Sequence, residues 1–288
     1  MPLHPANHHA VLVLARSQPA ILAAALLRYA QLGWTTYVHL DARESLANFQ
    51  HSVGPLAQSC RWISDRHAVY WAGFSMIEAT LSLIHDARAA PLPHRRYTLL
   101  SDDTLPLWSD EALTEWSRSS ISWIETNSSA HHMEHFQRYQ GYYFFDHPLT
   151  ALRREVHAPE VDETFIRAIA DIESLRKSGK KTTNLHHGQQ WWSLTAPRID
   201  HLLVDIGNDL HLKTSFRYAS VPDESYFQTL VAMRGLTDVE SRSPCFVDWN
   251  RDPKPYVFTS VDELPAAAIT SPFARKFTVV SPPPSGFV

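Results

Sequence analysis

With 288 residues, 44% of them hydrophobic, the chain is long enough for one large α/β domain or two small ones and can bury a sizeable core. A net charge of −4 and a pI near 6.5 leave no electrostatic footprint for nucleic acid, and no run of like charge marks a polybasic membrane patch. Two cysteines, Cys60 and Cys245, do not make a disulfide framework, and the nine glycines form neither a GxGxxG nor a Walker motif.

In chain order, the apolar run AVLVLA at 10–15 is too short for a signal h-region or a membrane span and is read as a buried strand. A soluble, cytoplasmic protein is the expectation. The helical run PAILAAALLRYAQLG follows, closed by Gly33, and then a second strand, TTYVHLD, ending on Asp41. That is a βαβ unit. RWIS at 61–64, the helical GFSMIEATLSLIHDAR from 73, the strand YTLLSDD at 97–103, a helix from Asp110 and ISWIET at 121–126 continue the alternation. An α/β fold follows, with a mainly parallel central sheet and helices on both faces. Right-handed crossovers would line up Asp41, Asp102, Asp103 and Glu125 at one sheet edge, where open α/β sheets bind ligands.

The second half is less regular. A helix is expected at 161–177, SGKKTTNLHHG at 178–188 reads as an exposed loop, and QQWWSLT as a strand leading to a helix from Pro197. A strand YVFT at 256–259, a basic stretch FARKF at 273–277 and a disordered tail from 278 complete the chain.

Several groupings could carry chemistry. His131, Glu134 and His135 satisfy H-x-x-E-H, in which two histidines bind zinc beside a catalytic glutamate, but the flanks are polar, no third ligand is apparent and a solvated His-rich loop is the better reading. Asp102 and Asp103 are adjacent, so strand alternation points them to opposite faces unless the chain turns there. Of the paired Trp191 and Trp192, one is expected in the core and one in a pocket, where tryptophan stacks on sugar rings. Arg275 and Lys276, between two phenylalanines, could hold fixed positive charge against a phosphate. In SVPDESYFQTL, Pro222 and Asp223 read as a helix entry, leaving Glu224 either a first-turn carboxylate facing the helix dipole or a base at the mouth of a cleft.

Taken together, YVHLD (37–41), VYWAGFSMIEATL (69–81), YTLLSDDTLPL (97–107), GQQWWSLT (188–195), VPDESYFQTL (221–230) and FARKF (273–277) resemble, in this order, the signature blocks of the core-2/I-branching glycosyltransferase family. That family contains β-1,6-N-acetylglucosaminyltransferases and peptide O-xylosyltransferases. The resemblance implies a single GT-A-type, Rossmann-like domain over 1–277 and transfer of a sugar, N-acetylglucosamine or xylose, from a UDP-sugar to a glycan or glycoconjugate hydroxyl with inversion. It implies Glu224 as general base, and Lys276, with Arg275 and either Lys254 or Arg251, at the diphosphate in place of a divalent metal, so no cofactor is expected. Asp41 is implied at the nucleotide, and Glu125 and Trp249 at the acceptor. Asp102, Asp103, Gln190 and Trp191 are grouped with the sugar-binding residues. One departure is visible: where the family has Asp directly before an aromatic and Pro, this chain has Thr104-Leu105-Pro106. The short, cysteine-poor chain looks like a bacterial relative, its partners a nucleotide sugar and an acceptor that, if lipid-linked, would bring it to a membrane surface. The alternatives to turnover are an inactive sugar-binding module of the same fold and the zinc hydrolase.

Overall fold

A computed structural model describes residues 8–129, 132–146 and 163–279. Strand β1 (His9–Ala15) is buried at every position, the mark of a strand covered on both faces. Helix α1 (Pro19–Gln31) starts on a proline, whose missing N–H has no partner in a first turn anyway, and buries Ile21, Leu22, Ala25, Leu26 and Tyr29 at helical spacing. Gly33, at φ +69°, ends it in the left-handed conformation that glycine takes without a Cβ penalty. β2 (Thr35–Leu40), α2 (Leu46–Val53), β3 (Cys60–Trp62), α3 (Ser75–Arg88) and β4 (Arg96–Ser101) follow.

β1 pairs in parallel with β2 on one side and β4 on the other, and β2 with β3. The chain therefore steps outward from β1 to β3 and returns across β1 to β4. Right-handed crossovers place α1 and α2 on one face and α3 on the other.

β5 (Leu105–Pro106), α4 (Asp110–Arg118), β6 (Ser122–Ile124), β7 (Asn127–Ser128), α5 (Met133–Gln140), α6 (Glu163–Ser178), β8 (His186–His187), β9 (Trp192–Thr195), α7 (Ala196–Asn208), α8 (Leu210–Arg217), α9 (Tyr226–Met233), β10 (Val239–Glu240), β11 (Cys245–Val247) and β12 (Phe273–Arg275) complete the described chain. The central sheet has the order β10-β6-β9-β4-β1-β2-β3, with β9 antiparallel to both neighbours. β11, β12 and β5 form a second sheet, and β7 pairs with β8. The mainly parallel α/β architecture expected from the sequence is the one observed. One apolar cluster runs from Ala10 on β1 to Phe277 near the end of the described chain.

Arg96 on β4 is 1% exposed and donates to the carbonyls of Ser117, Ser119 and Ile121, while its guanidinium lies over Trp116. Carbonyls at the end of α4 solvate this buried cation, as the negative end of a helix dipole does. Burial nevertheless lowers its pKa to about 10.

Two local expectations differ. The end of SGKKTTNLHHG is not exposed loop: Leu185 and His187 are buried, and β8 pairs there with β7. YVFT forms only a single bridge, Phe258 to Phe277, because the Tyr256 N–H goes instead to the Asp248 carbonyl and prolines 253 and 255 carry no N–H. Of the tail, Thr278 still donates its N–H to Phe258, and 280–288 lie outside the described residues. No helix among the described residues is long and apolar enough to cross a membrane.

Candidate active site

Because β2, β4 and β6 run the same way, their ends bring Asp41, Asp102 with Asp103, and Glu125 to one edge of the sheet, as the sequence predicts. β9 runs the other way, so its entrance delivers Gln189, Gln190 and Trp191 to that same edge.

Glu224 closes a single 3-10 turn, Pro222–Glu224, after which α9 begins at Tyr226. Its carboxylate accepts from Arg138 Nη1 at 3.0 Å, and its backbone carbonyl accepts from the Gly188 N–H. The adjacent Gln189 N–H donates to Glu125 Oε2 at 3.0 Å, so Gly188 and Gln189 link the two glutamates. Burial pushes the Glu224 carboxyl above its usual range. Arg138 pulls it back, and Glu125 and Glu134 add to the rise. With its side chain 37% exposed, Glu224 is a half-buried carboxylate that solvent and ligand can reach.

Asp223 is not the cap that its place in the sequence suggests. Neither the turn nor α9 has a side-chain cap, and Asp223 is buried, its carboxyl pushed up to about 7 by burial and then by the charge of Glu224. Val221 ahead of the turn, at φ +51°, donates its N–H to the carbonyl of Ala72, itself at φ +64°. Two non-glycine residues in the left-handed region, one of them β-branched, are strained backbone of the kind that collects at functional sites.

The aspartates after β4 diverge, because the chain turns there. Asp102 is 6% exposed and accepts the N–H groups of Arg16, Ser17 and Gln18 at the start of α1, where it neutralises the helix dipole. Burial still raises its pKa. Asp103 takes both arms of Arg275, at 3.0 and 2.8 Å. Burial opposes its ionisation, but the Arg275 charge and hydrogen bonds win and hold it below the usual carboxylate range. Both carboxylates placed among the sugar-binding residues thus have structural partners. Arg275, expected at the diphosphate, is engaged by Asp103 and lies over the Trp191 ring at 4.7 Å. That corrects the expectation for the tryptophan pair: Trp191 and Trp192 are 5% and 0% exposed, and both belong to the core.

Lys276 is half-buried; its carbonyl accepts from the Phe258 N–H, but its ammonium has no hydrogen-bond or ion-pair partner among the described residues, although its charge reaches Asp103. Of the other two cations, Arg251 is held by Asp248 at 2.7 Å and stacks on Tyr256, whereas Lys254 is exposed. Trp249 is 51% exposed. Gln190 is half-buried with its Nε2 unpaired. Asp41 is 2% exposed, and Arg43 holds it ionised against burial through hydrogen bonds from its side chain and N–H. Glu125 and Gln189 line an open cleft of 390 Å³ with Arg242, Cys245, Phe246 and Ser271.

Of the proposed zinc set, His131 lies outside the described residues. Glu134 is paired with Arg138, and His135 stacks on His187 at 3.7 Å. Among the described residues no three His, Cys, Asp or Glu side chains are placed to hold a metal.

The model of the family described as Core-2/I-Branching enzyme matches residues 19–270. The chain belongs to the Core-2/I-branching enzyme family. It is thereby placed among the glycosyltransferases, and the zinc hydrolase pattern at 131–135 falls away as an explanation of the whole chain. No curated protein matches its sequence. Among solved structures, this family member is similar to the galactosyltransferase LgtC in complex with donor and acceptor sugar analogues, at 14% identity and TM-score 0.30, covering 46% of this chain and 51% of that one. It is also similar to an active-site mutant of LgtC, at 11% identity and TM-score 0.41 over 93% and 86% of the two chains. A third is mouse xyloside xylosyltransferase 1 in its apo form, at 12% identity and TM-score 0.38 over 85% and 90%.

Arg138 escaped the sequence reasoning. The Glu134–Arg138 spacing of four was legible as a helical ion pair. Its second partner, Glu224, is 86 residues away, and nothing local signals it.

Proposed function

We propose that the protein transfers a sugar, N-acetylglucosamine or xylose, from a UDP-sugar to a hydroxyl of a glycan or glycoconjugate acceptor, with inversion and without a divalent ion. Glu224 removes the acceptor proton as the hydroxyl oxygen bonds to the anomeric carbon. The bond from that carbon to the diphosphate breaks, and UDP leaves with the bonding electrons. Lys276, assisted by Lys254, neutralises the charge that develops on the diphosphate. Asp41 holds the nucleotide, and Glu125, Trp249 and the 390 Å³ cleft receive the acceptor, a volume within the range of small-ligand sites.

The observation that carries this reading is the setting of Glu224: a half-buried carboxylate on a short turn, its pKa raised toward the working range of a general base. Donor chemistry disfavours a metal at the β4 end, since Asp102 and Asp103 already have backbone and arginine partners. Glu224→Gln keeps the shape and removes the base. It should lower acceptor-dependent release of UDP by about 10²- to 10⁴-fold. EDTA should leave the wild-type rate unchanged. Near-normal transfer by the variant would refute the base, and loss in EDTA with recovery in manganese would refute the lysines' role.

A further inference from the structure

Arg138 is 30% exposed at its side chain and holds two carboxylates, Glu134 on its own helix and Glu224 at 3.0 Å. Its backbone is stitched to the chain that leads into the Glu224 turn. The Arg138 carbonyl accepts from the Ser220 N–H, and the Tyr143 N–H donates to the Tyr218 carbonyl, both at 3.0 Å. Lys180 bridges the carbonyls of Tyr139 and Tyr218 at 2.5 and 3.0 Å, with its ammonium over the rings of Tyr139 and Tyr142. Arginine and glutamate are thereby carried on one fastened unit, four residues from the last stitch to the carboxylate.

Among the described residues, the other charges that act on Glu224 are negative. Glu125 faces it from the end of β6 and Glu134 from α5, and each opposes its ionisation, while Asp223 on its own turn is buried, holds its proton up to about pH 7 and supplies no compensating positive charge. His135 on α5 lies within the field of Glu125, Glu134 and Arg138, and burial lowers its pKa, so it adds no charge at neutral pH. Arg138 is the one guanidinium that touches the carboxylate among the described residues.

We infer that Arg138 is the positioning residue of the reaction, fixing the Glu224 carboxylate in one orientation and keeping it ionised and ready to accept a proton. The inference rests on the assignment of Glu224 as base, and adds that the arginine sets the pH range in which the base works. Removing it leaves a half-buried carboxylate facing Glu125 and Glu134, so Glu224 must titrate at higher pH and the acid limb of the rate profile must move up with it.

The test uses full-length protein carrying carboxyl-¹³C glutamate, with Glu224→Gln identifying the Glu224 resonance. The rate probe is release of UDP from UDP-N-acetylglucosamine and UDP-xylose with water as acceptor. In Arg138→Met the Glu224 midpoint should rise by about 1 pH unit or more, the low end of the effect of a close opposite charge because both groups are partly exposed. The acid limb of kcat/KM should shift by the same amount, and Arg138→Lys should restore part of both. Should the methionine variant not fold, Arg138→Gln keeps length and polarity and should show the same rise. An unmoved midpoint in a folded variant overturns the inference, as does a profile that lysine and methionine leave equally unchanged. Wild-type transfer by Glu224→Gln would instead overturn the base assignment, and the midpoint in Arg138→Met would still decide whether the arginine controls the carboxylate.

Discussion

Asp103→Asn exchanges a buried anion for a neutral amide of the same shape, opposite a guanidinium that cannot lose its proton. The pair is nearly dry, with side chains 6% and 17% exposed, and it makes two hydrogen bonds of 3.0 and 2.8 Å. Breaking a buried pair by removing one partner costs about 3–5 kcal/mol, because the charge left behind is neither solvated nor neutralised. At ~2 °C per kcal/mol for a chain of this size, the melting temperature should fall by about 6–10 °C. The same pair predicts a pH dependence. Asp103 has a folded pKa below its unfolded value of about 3.9, so its stabilisation is fully present above that value and is lost as pH falls through the folded pKa. The gap between wild type and variant in urea unfolding should therefore be constant from pH 7 to 5 and close below about pH 4. Asp103→Asn combined with Arg275→Met should recover much of the loss, since neither charge then remains buried. A loss under about 1 kcal/mol at pH 7, the size of an exposed ion pair, would refute the reasoning. So would a gap that does not change with pH.

Asp223 predicts the opposite sign. Burial raises its folded pKa to about 7, so the folded state binds a proton that the unfolded state has released, and stability falls as pH climbs from about 4 to 7 before levelling. Asp223→Asn should remove that slope, which amounts to at most roughly 4 kcal/mol between the two ends, and urea titrations at pH 4, 6 and 8 would measure it. Gly188→Ala would drive a Cβ into the backbone carbonyl of Glu125. A loss of about 1–3 kcal/mol is expected, together with weaker acceptor binding, read by thermal unfolding and acceptor KM.

The βαβ start, the burial of β1 and the convergence of acidic strand ends were all legible, because hydrophobic period and the handedness of crossovers are local or nearly local rules. The direction of β9 was not, since alternation reads the same both ways along a strand. That is why Gln189 could not be seen to meet Glu125. Asp223 looked like a cap from its position, but its depth depends on packing across the fold that its neighbours do not encode. The tryptophan pair failed for the same reason: Arg275, which covers Trp191, is 84 residues further on, the difference of 275 and 191. Arg138 was half legible, its helical partner visible and its distant partner not.

The short ladder between β7 and β8 joins Asn127 to His187 and Ser128 to His186, and so ties together the two ends of everything between 129 and 185. Chain threaded through such a clasp can lengthen with little penalty, since doubling a closed loop costs only about 0.6 kcal/mol in entropy. Its described residues are nevertheless tied to the rest of the fold: Tyr139 of α5 is buried in the main apolar cluster, Asp146 accepts the N–H groups of Phe74 and Ser75 at the head of α3, and Arg138 reaches Glu224. The clasp thus sets the length of this span free to vary while fixing its anchors: a buried tyrosine, an aspartate at the head of α3 and an arginine at Glu224 must each still arrive.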